Sequence, residues 1–155
     1  DNGADYKYGG SNKPFRGQKA TLFEGGIRVP CVMKFPGTIK PGTVSNDQVG
    51  AIDLFPTFCK MAGVDFKKYR PDGHDIMNVL KGQPMPKREM LFELHTASAL
   101  RVGDWKYLKE KKGEAMLFNL ASDKEEKYDL SKKNTEVFTK MKRRHDELLK
   151  QTSVH

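Results

Sequence analysis

The chain has 155 residues, room for one domain of ordinary size, with 37% hydrophobic and 31% charged residues and a formal net charge of +8. No apolar run approaches the roughly 18 residues that a membrane-crossing helix needs, so these residues hold no helical span. Residues 1–40 carry seven Lys/Arg against three Asp/Glu, residues 41–99 seven of each, and residues 100–155 fourteen against ten. A basic excess so mixed with acids differs from a nucleic-acid-binding tail.

Residues 1–26 contain six glycines and a polar Ser11-Asn12-Lys13-Pro14 turn. Such a segment makes no core of its own and is expected to lie over one. Glycines allow positive φ or close backbone approach, and Lys19 between them is a point charge suited to an anionic oxygen. Ile27 to Phe35 reads as a strand buried at Val29, Val32 and Phe35. Pro36-Gly37 and Pro41-Gly42 are turns. Cys31 and Cys59 sit in apolar runs as small thiols expected to be buried, with neither a metal spacing nor a sign of a disulfide.

Asp53 is expected to cap a helix reaching about Ala62, with Gly63 behind it and Leu54, Phe58, Met61 and Ala62 as its buried stripe. Pro56 falls in the first turn, where its missing N–H costs little. Asp75 is expected to cap a short helix, Ile76 to Lys81, closed by Gly82. Beyond a polar stretch at 82–88 the pattern turns to strands: Met90–His95, Ala99–Val102, Trp105–Leu108 and Met116–Leu120. Gly103-Asp104 reads as a hairpin turn. From Glu136 to Lys150, Val137, Phe138, Met141, His145 and Leu148 recur at helical spacing. Residues 89–150 therefore predict a small antiparallel sheet with one helix packed on it.

The segment Arg16 to Pro30 reads Arg-Gly-x-Lys-x-x-x-x-Glu-Gly-Gly-x-Arg-Val-Pro. It resembles a signature segment of the formylglycine-dependent sulfatases. Asp1-Asn2-Gly3 resembles their metal motif, and Ile52-Asp53-Leu54-Phe55-Pro56-Thr57, Pro71-Asp72-Gly73 and Arg101-Val102-Gly103-Asp104-Trp105-Lys106 follow in the family's order. The resemblance extends to about Leu130.

It implies an α/β fold of the alkaline-phosphatase superfamily, with residues 1–88 as the last part of the catalytic domain and 89–155 as a C-terminal subdomain. It implies a parent enzyme that hydrolyses sulfate esters of a small molecule or glycan. Asp1 and Asn2 would then be ligands of a divalent cation, calcium by the resemblance; by themselves a carboxylate and an amide carbonyl are hard oxygen donors suited to calcium or magnesium. Read without the resemblance, Asp-Asn-Gly is an ordinary turn. Lys19 would contact a sulfate oxygen and stabilise charge on the leaving group. Arg16, Glu24 and Arg28 are expected to form an ion-pair set that fixes the loop. His95 is a candidate for substrate binding beside its plainer reading as an edge histidine.

No Cys-x-Pro/Ala-Ser-Arg segment is present: Cys31 is followed by Val-Met-Lys and Cys59 by Lys-Met-Ala. The family's formylglycine nucleophile is thus expected in a missing N-terminal part, and these 155 residues alone are expected to be inactive. The remainder of the sulfatase chain would be their partner; no nucleic-acid partner is expected. Secreted, periplasmic or lysosomal placement follows from the resemblance alone. Two other readings stay open at this point: a phosphodiesterase or phosphonate hydrolase of the same superfamily, and a non-catalytic basic module that binds polyanions.

Overall fold

The computed structural model describes residues 2–152. The chain divides into two compact units, one made of residues up to Pro30 together with those from Lys87 onward, the other of Cys31–Pro86. These packing units are drawn differently from the domains 1–88 and 89–155 expected above, which describe the parent enzyme.

The first unit is built on an antiparallel sheet whose strands β1 (Glu89–Leu94), β2 (Ala97–Val102), β3 (Trp105–Glu110) and β4 (Ala115–Asn119) pair in sequence order. Gly103, at φ +58°, makes the β2–β3 turn with Asp104. Side chains alternate across the pleat, so the register defines two faces. Leu91, Leu100, Tyr107 and Leu117 form one row; Met90, Arg101, Lys106 and Phe118 form the next, on the opposite face.

Helix α4 (Thr135–Thr152) covers the first face. Leu100, Tyr107, Leu117 and Met141 form its buried core, with Val137, Phe138, Leu148 and Trp105 packed around them. Each such side chain contributes about 1.5–3 kcal/mol on burial. His145 is buried in the same layer: its Nε2 lies 2.9 Å from Ser98 Oγ and its ring centroid 4.8 Å from that of Tyr107. Sheet and helix thus match the sequence expectation, with strand ends shifted by one or two residues.

The loop-rich N-terminal segment covers the second face. Leu22 and Phe23 enter a core with Ala99, Leu108, Phe118 and Leu120, and Ile27 packs against its edge. The sequence predicts that this segment lies over a core; the structure adds that two of its own side chains complete that core.

The second unit contains α2 (Leu54–Met61) and α3 (Met77–Leu80), preceded in the chain by α1 (Glu24–Ile27) of the first unit. Asp53 is fully buried and ties this unit together: its carboxylate accepts from the backbone N–H groups of Gly50 at 2.7 Å and His74 at 2.8 Å. Thr57 Oγ1 donates to Asp53 O and accepts from Ile76 N. Gly63 and Gly82 take positive φ behind α2 and α3, as the sequence predicts, but the expected caps differ: the Asp53 side chain makes no capping bond to α2, and Ile76 rather than Asp75, which accepts from Met77 N at 2.9 Å, is the N-cap of α3.

Three expectations are corrected here. No strand forms at Ile27–Phe35: Ile27 ends α1, the following residues pair with no strand among the described residues, and Val32 is 94% exposed. An apolar run becomes a strand only where another strand takes its backbone hydrogen bonds. The predicted stripe on α2 is not buried either. Pro56 and Thr57 face inward, whereas Phe55 and Phe58 are exposed, because Asp53 and Thr57 turn the polar side of the helix toward the 72–76 segment. Cys31 is exposed rather than buried, and both cysteines are free thiols.

Candidate active site

The loop from Phe15 to Ile27 is closed at its base by Gly25 N donating to Arg16 O at 2.7 Å. Within it, Thr21 Oγ1 donates to Gln18 O at 2.8 Å and accepts from Gln18 N at 3.1 Å. Gly17 takes φ +83°, and Ala20, next to Lys19, takes φ +65°. A left-handed alanine costs on the order of 1–2 kcal/mol, so the surrounding contacts hold it there.

Residues 2–6 are stitched along this loop. Gly3 N donates to Gly26 O at 2.9 Å and Lys19 N donates to Ala4 O at 3.2 Å. A Cβ on Gly3 would stand 1.8 Å from Gly25 O, so only glycine permits this approach. Asn12 clamps the pair from the side, accepting from Ala4 N at 2.7 Å and donating to Ala4 O at 2.8 Å. Tyr6 OH donates to Gly17 O at 2.6 Å. The structure therefore places Asn2 and Lys19 on neighbouring, mutually bonded segments.

Beneath the loop lies a buried ion network. Lys106 Nζ is 3.0 Å from Glu24 Oε1 and 2.8 Å from Glu126 Oε1, and all three side chains are at most 1% exposed. The second oxygen of Glu24 faces Arg101 at 3.6 Å and Arg28 at 3.8 Å. Glu126 Oε2 accepts from Glu24 N at 2.5 Å, and its backbone carbonyl accepts from Arg16 Nη1 at 3.0 Å. Burial pushes the Glu126 carboxyl up, and the Lys106 ammonium opposes that shift. The arginines also stack, Arg16 4.0 Å from the Phe23 ring centroid and Arg28 4.7 Å from that of Phe15.

The sequence-predicted residues fall as follows. Lys19 is exposed on the loop, with its side chain outside the ion network. Glu24 is at the centre of that network, and Arg16 and Arg28 lie at its rim. Asn2 is exposed; its Nδ2 donates to Gly3 O at 2.8 Å, which leaves Oδ1 as its side-chain acceptor. Asp1 lies outside the described residues. His95 is exposed in the β1–β2 turn, beyond the last residue of β1, and no described contact links it to the loop. Among the described residues, no group of three or more His, Cys, Asp or Glu could hold a metal ion.

Sequence reading missed Glu126 and gave no role to Lys106, the last residue of the Arg101–Lys106 segment. Lys106 did leave a signal, because it occupies an inward strand position on the face of Leu108, between Trp105 and Tyr107. Glu126 left none: Lys124-Glu125-Glu126-Lys127 reads as a solvated charge run, and its partner Glu24 is 102 residues away.

The four-stranded meander with a terminal helix on one face and a glycine-rich, lysine-bearing loop on the other has the architecture of the C-terminal portion of sulfatases of the alkaline-phosphatase superfamily, as comparison with known proteins shows. The chain belongs to this family, since residues 16–153 match the profile described as N-sulphoglucosamine sulphohydrolase, C-terminal. It is 40% identical to the steryl-sulfatase of Mus musculus over 88 residues, 56% of this chain and 14% of that protein. It is 39% identical to the N-acetylgalactosamine-6-sulfatase of the same species over 100 residues, 63% of this chain and 19% of the other. The crystal structure of Ps i-CgsB in complex with k-i-k-neocarrahexaose superposes with a TM-score of 0.86 at 30% identity, covering 95% of this chain and 34% of that one. The chain thus spans between about a seventh and a third of the length of these relatives.

Proposed function

We propose that this chain is the C-terminal part of an enzyme that hydrolyses sulfate esters, and that Lys19 is its sulfate-contacting cation. The observation that carries this reading is the loop itself. An exposed lysine next to a strained alanine sits on a backbone closed by Gly25–Arg16 and cross-bonded to residues 3–6. A preorganised ammonium of this kind can face charge developing on a leaving oxygen without having to reorganise.

Asn2, with Asp1, would contribute oxygen ligands to a divalent cation, calcium by family resemblance, completed by carboxylates from outside these residues. Asn2 fits that role, since its Oδ1 is a hard donor on an exposed residue of the segment bonded to the Lys19 loop. Such an ion, when bound, polarises a sulfate oxygen. Lys19 then orients the ester and offsets the charge that leaves with the alcohol. His95 would line the substrate cleft. The attacking group, a formylglycine by family resemblance, would come from residues outside this chain. The relative bound to k-i-k-neocarrahexaose supports a sulfated glycan as the substrate class.

Steady-state kinetics of Lys19→Ala in the full-length enzyme test the reading. The expected loss is on the order of 3 kcal/mol, about a hundredfold in kcat, with the melting temperature unchanged. A rise in KM alone would make Lys19 a ground-state sulfate binder. Wild-type kcat and KM would remove it from the active site. Lys19→Arg refines the result, because a planar guanidinium does not replace a compact ammonium.

A further inference from the structure

We propose that Glu126 is a positioning residue that holds the Lys19 loop in its working geometry, an inference that rests on the role of Lys19 given above. Glu126 grips both ends of the loop's base. At one end its carbonyl accepts from Arg16 Nη1 at 3.0 Å, and at the other its Oε2 accepts from Glu24 N at 2.5 Å. Gly25 N, donating to Arg16 O at 2.7 Å, joins those two ends directly. The remaining oxygen of Glu126 faces Lys106 at 2.8 Å, which anchors the clasp at the start of β3.

The backbone of Glu126 is itself unusual. It takes φ +54°, in the left-handed region that side chains other than Asn and Asp rarely adopt. An ion pair with Lys106 alone does not call for that conformation. It turns the carbonyl toward Arg16 while the carboxylate reaches Glu24. Backbone strain of this sort persists only where surrounding contacts over-determine it, and it collects at functional sites.

The test is a double-mutant cycle in the full-length enzyme, assayed with 4-nitrophenyl sulfate. Glu126→Gln should lower kcat by roughly tenfold or more, because small misplacements of a catalytic cation are costly. Lys19→Ala combined with Glu126→Gln should fall within about twofold of Lys19→Ala alone, since Glu126 acts through Lys19. Met141→Ala, which removes a core side chain on the opposite face, controls for instability and should keep its kcat well below its melting temperature. Amide exchange of residues 17–26 should quicken about tenfold in Glu126→Gln while β3 amides stay protected. Should Glu126→Gln not fold, Arg16→Met removes the other half of the clasp and should show the same non-additivity at about threefold.

Additive losses in the cycle, an unchanged kcat in Glu126→Gln, or an equal kcat loss in Met141→Ala would each overturn the proposal. Wild-type kinetics in Lys19→Ala would instead overturn the reading beneath it. The single Glu126→Gln variant tells these failures apart, because in that case any loss it shows does not pass through Lys19.

Discussion

Lys106 Nζ lies 3.0 Å from Glu24 Oε1 across a sequence separation of 82 residues, and both side chains are buried. This contact joins the start of β3 to the floor of the candidate active-site loop. A lysine so placed has no water to fall back on, and Glu126 is its second counter-charge.

Removing it should therefore cost more than a surface ion pair. Lys106→Met strips Glu126 of its counter-charge and leaves Glu24 with only the more distant Arg101 and Arg28, and the expected loss is about 3–5 kcal/mol at neutral pH. Urea denaturation of wild type and variant measures it. The difference should shrink in acid, where the stranded carboxylates can take protons. A pH-independent loss would show that packing rather than charge dominates the site.

Gly3→Ala should loosen the candidate site without unfolding the sheet. The new Cβ would stand 1.8 Å from Gly25 O, a backbone atom that cannot swing away. Losing the Gly3–Gly26 hydrogen bond would free Asn2 from the Lys19 loop, and kcat in the full-length enzyme should fall roughly tenfold or more. Gly9→Ala is the control for backbone strain alone, since its φ of +78° disfavours alanine while a Cβ there meets nothing within 4 Å. Equal kinetic losses in the two variants would contradict this account.

Tyr107 gives an alkaline signature. Burial, with help from the Asp146 charge, pushes its hydroxyl up from 10.0 to about 12. A group whose folded value is raised contributes stability that is complete below its unfolded value and is lost as pH climbs through the folded one. Between pH 10 and 12 the wild type should lose about 2–3 kcal/mol relative to Tyr107→Phe. Denaturant melts across that window check it, and parallel curves for the two proteins would refute it.

Asp146 gives the opposite signature in acid. Burial raises its carboxyl, but the hydrogen bonds and charges of Lys142 and His145 outweigh that and hold it below its ordinary value. A depressed carboxyl contributes stability above its unfolded value and loses it as pH falls. Asp146→Asn should be less stable than wild type at neutral pH, with the gap closing as pH falls below 3.8 and through the lowered folded value. A gap of constant size would point to the shape of the carboxylate rather than its charge.

The sheet and α4 were legible in the sequence because their contacts are local and periodic: Gly103-Asp104 fixes one turn, and Val137, Phe138, Met141, His145 and Leu148 mark one helical face. The Arg16–Arg28 loop was legible as a motif, and the burial of Glu24 followed the expected ion-pair set. Glu126 was not, since its role depends on a contact across 102 residues and on a backbone angle that composition does not encode. Ile27–Phe35 and the apolar side of α2 misled for a different reason. Hydrophobic pattern states what a segment can bury, not whether a partner lies against it among the described residues.

The strands of the sheet pair only with neighbours in the sequence. Each hairpin therefore closes a short stretch of chain at little entropic cost and can zip early. The loop that carries Lys19 docks onto that sheet through contacts 82, 102 and 110 residues apart. It must wait for its platform: residues at the start of the chain find their place only after strands made far later are already paired. Within these residues the order of synthesis and the order of assembly should therefore run in opposite directions, with the loop docking last.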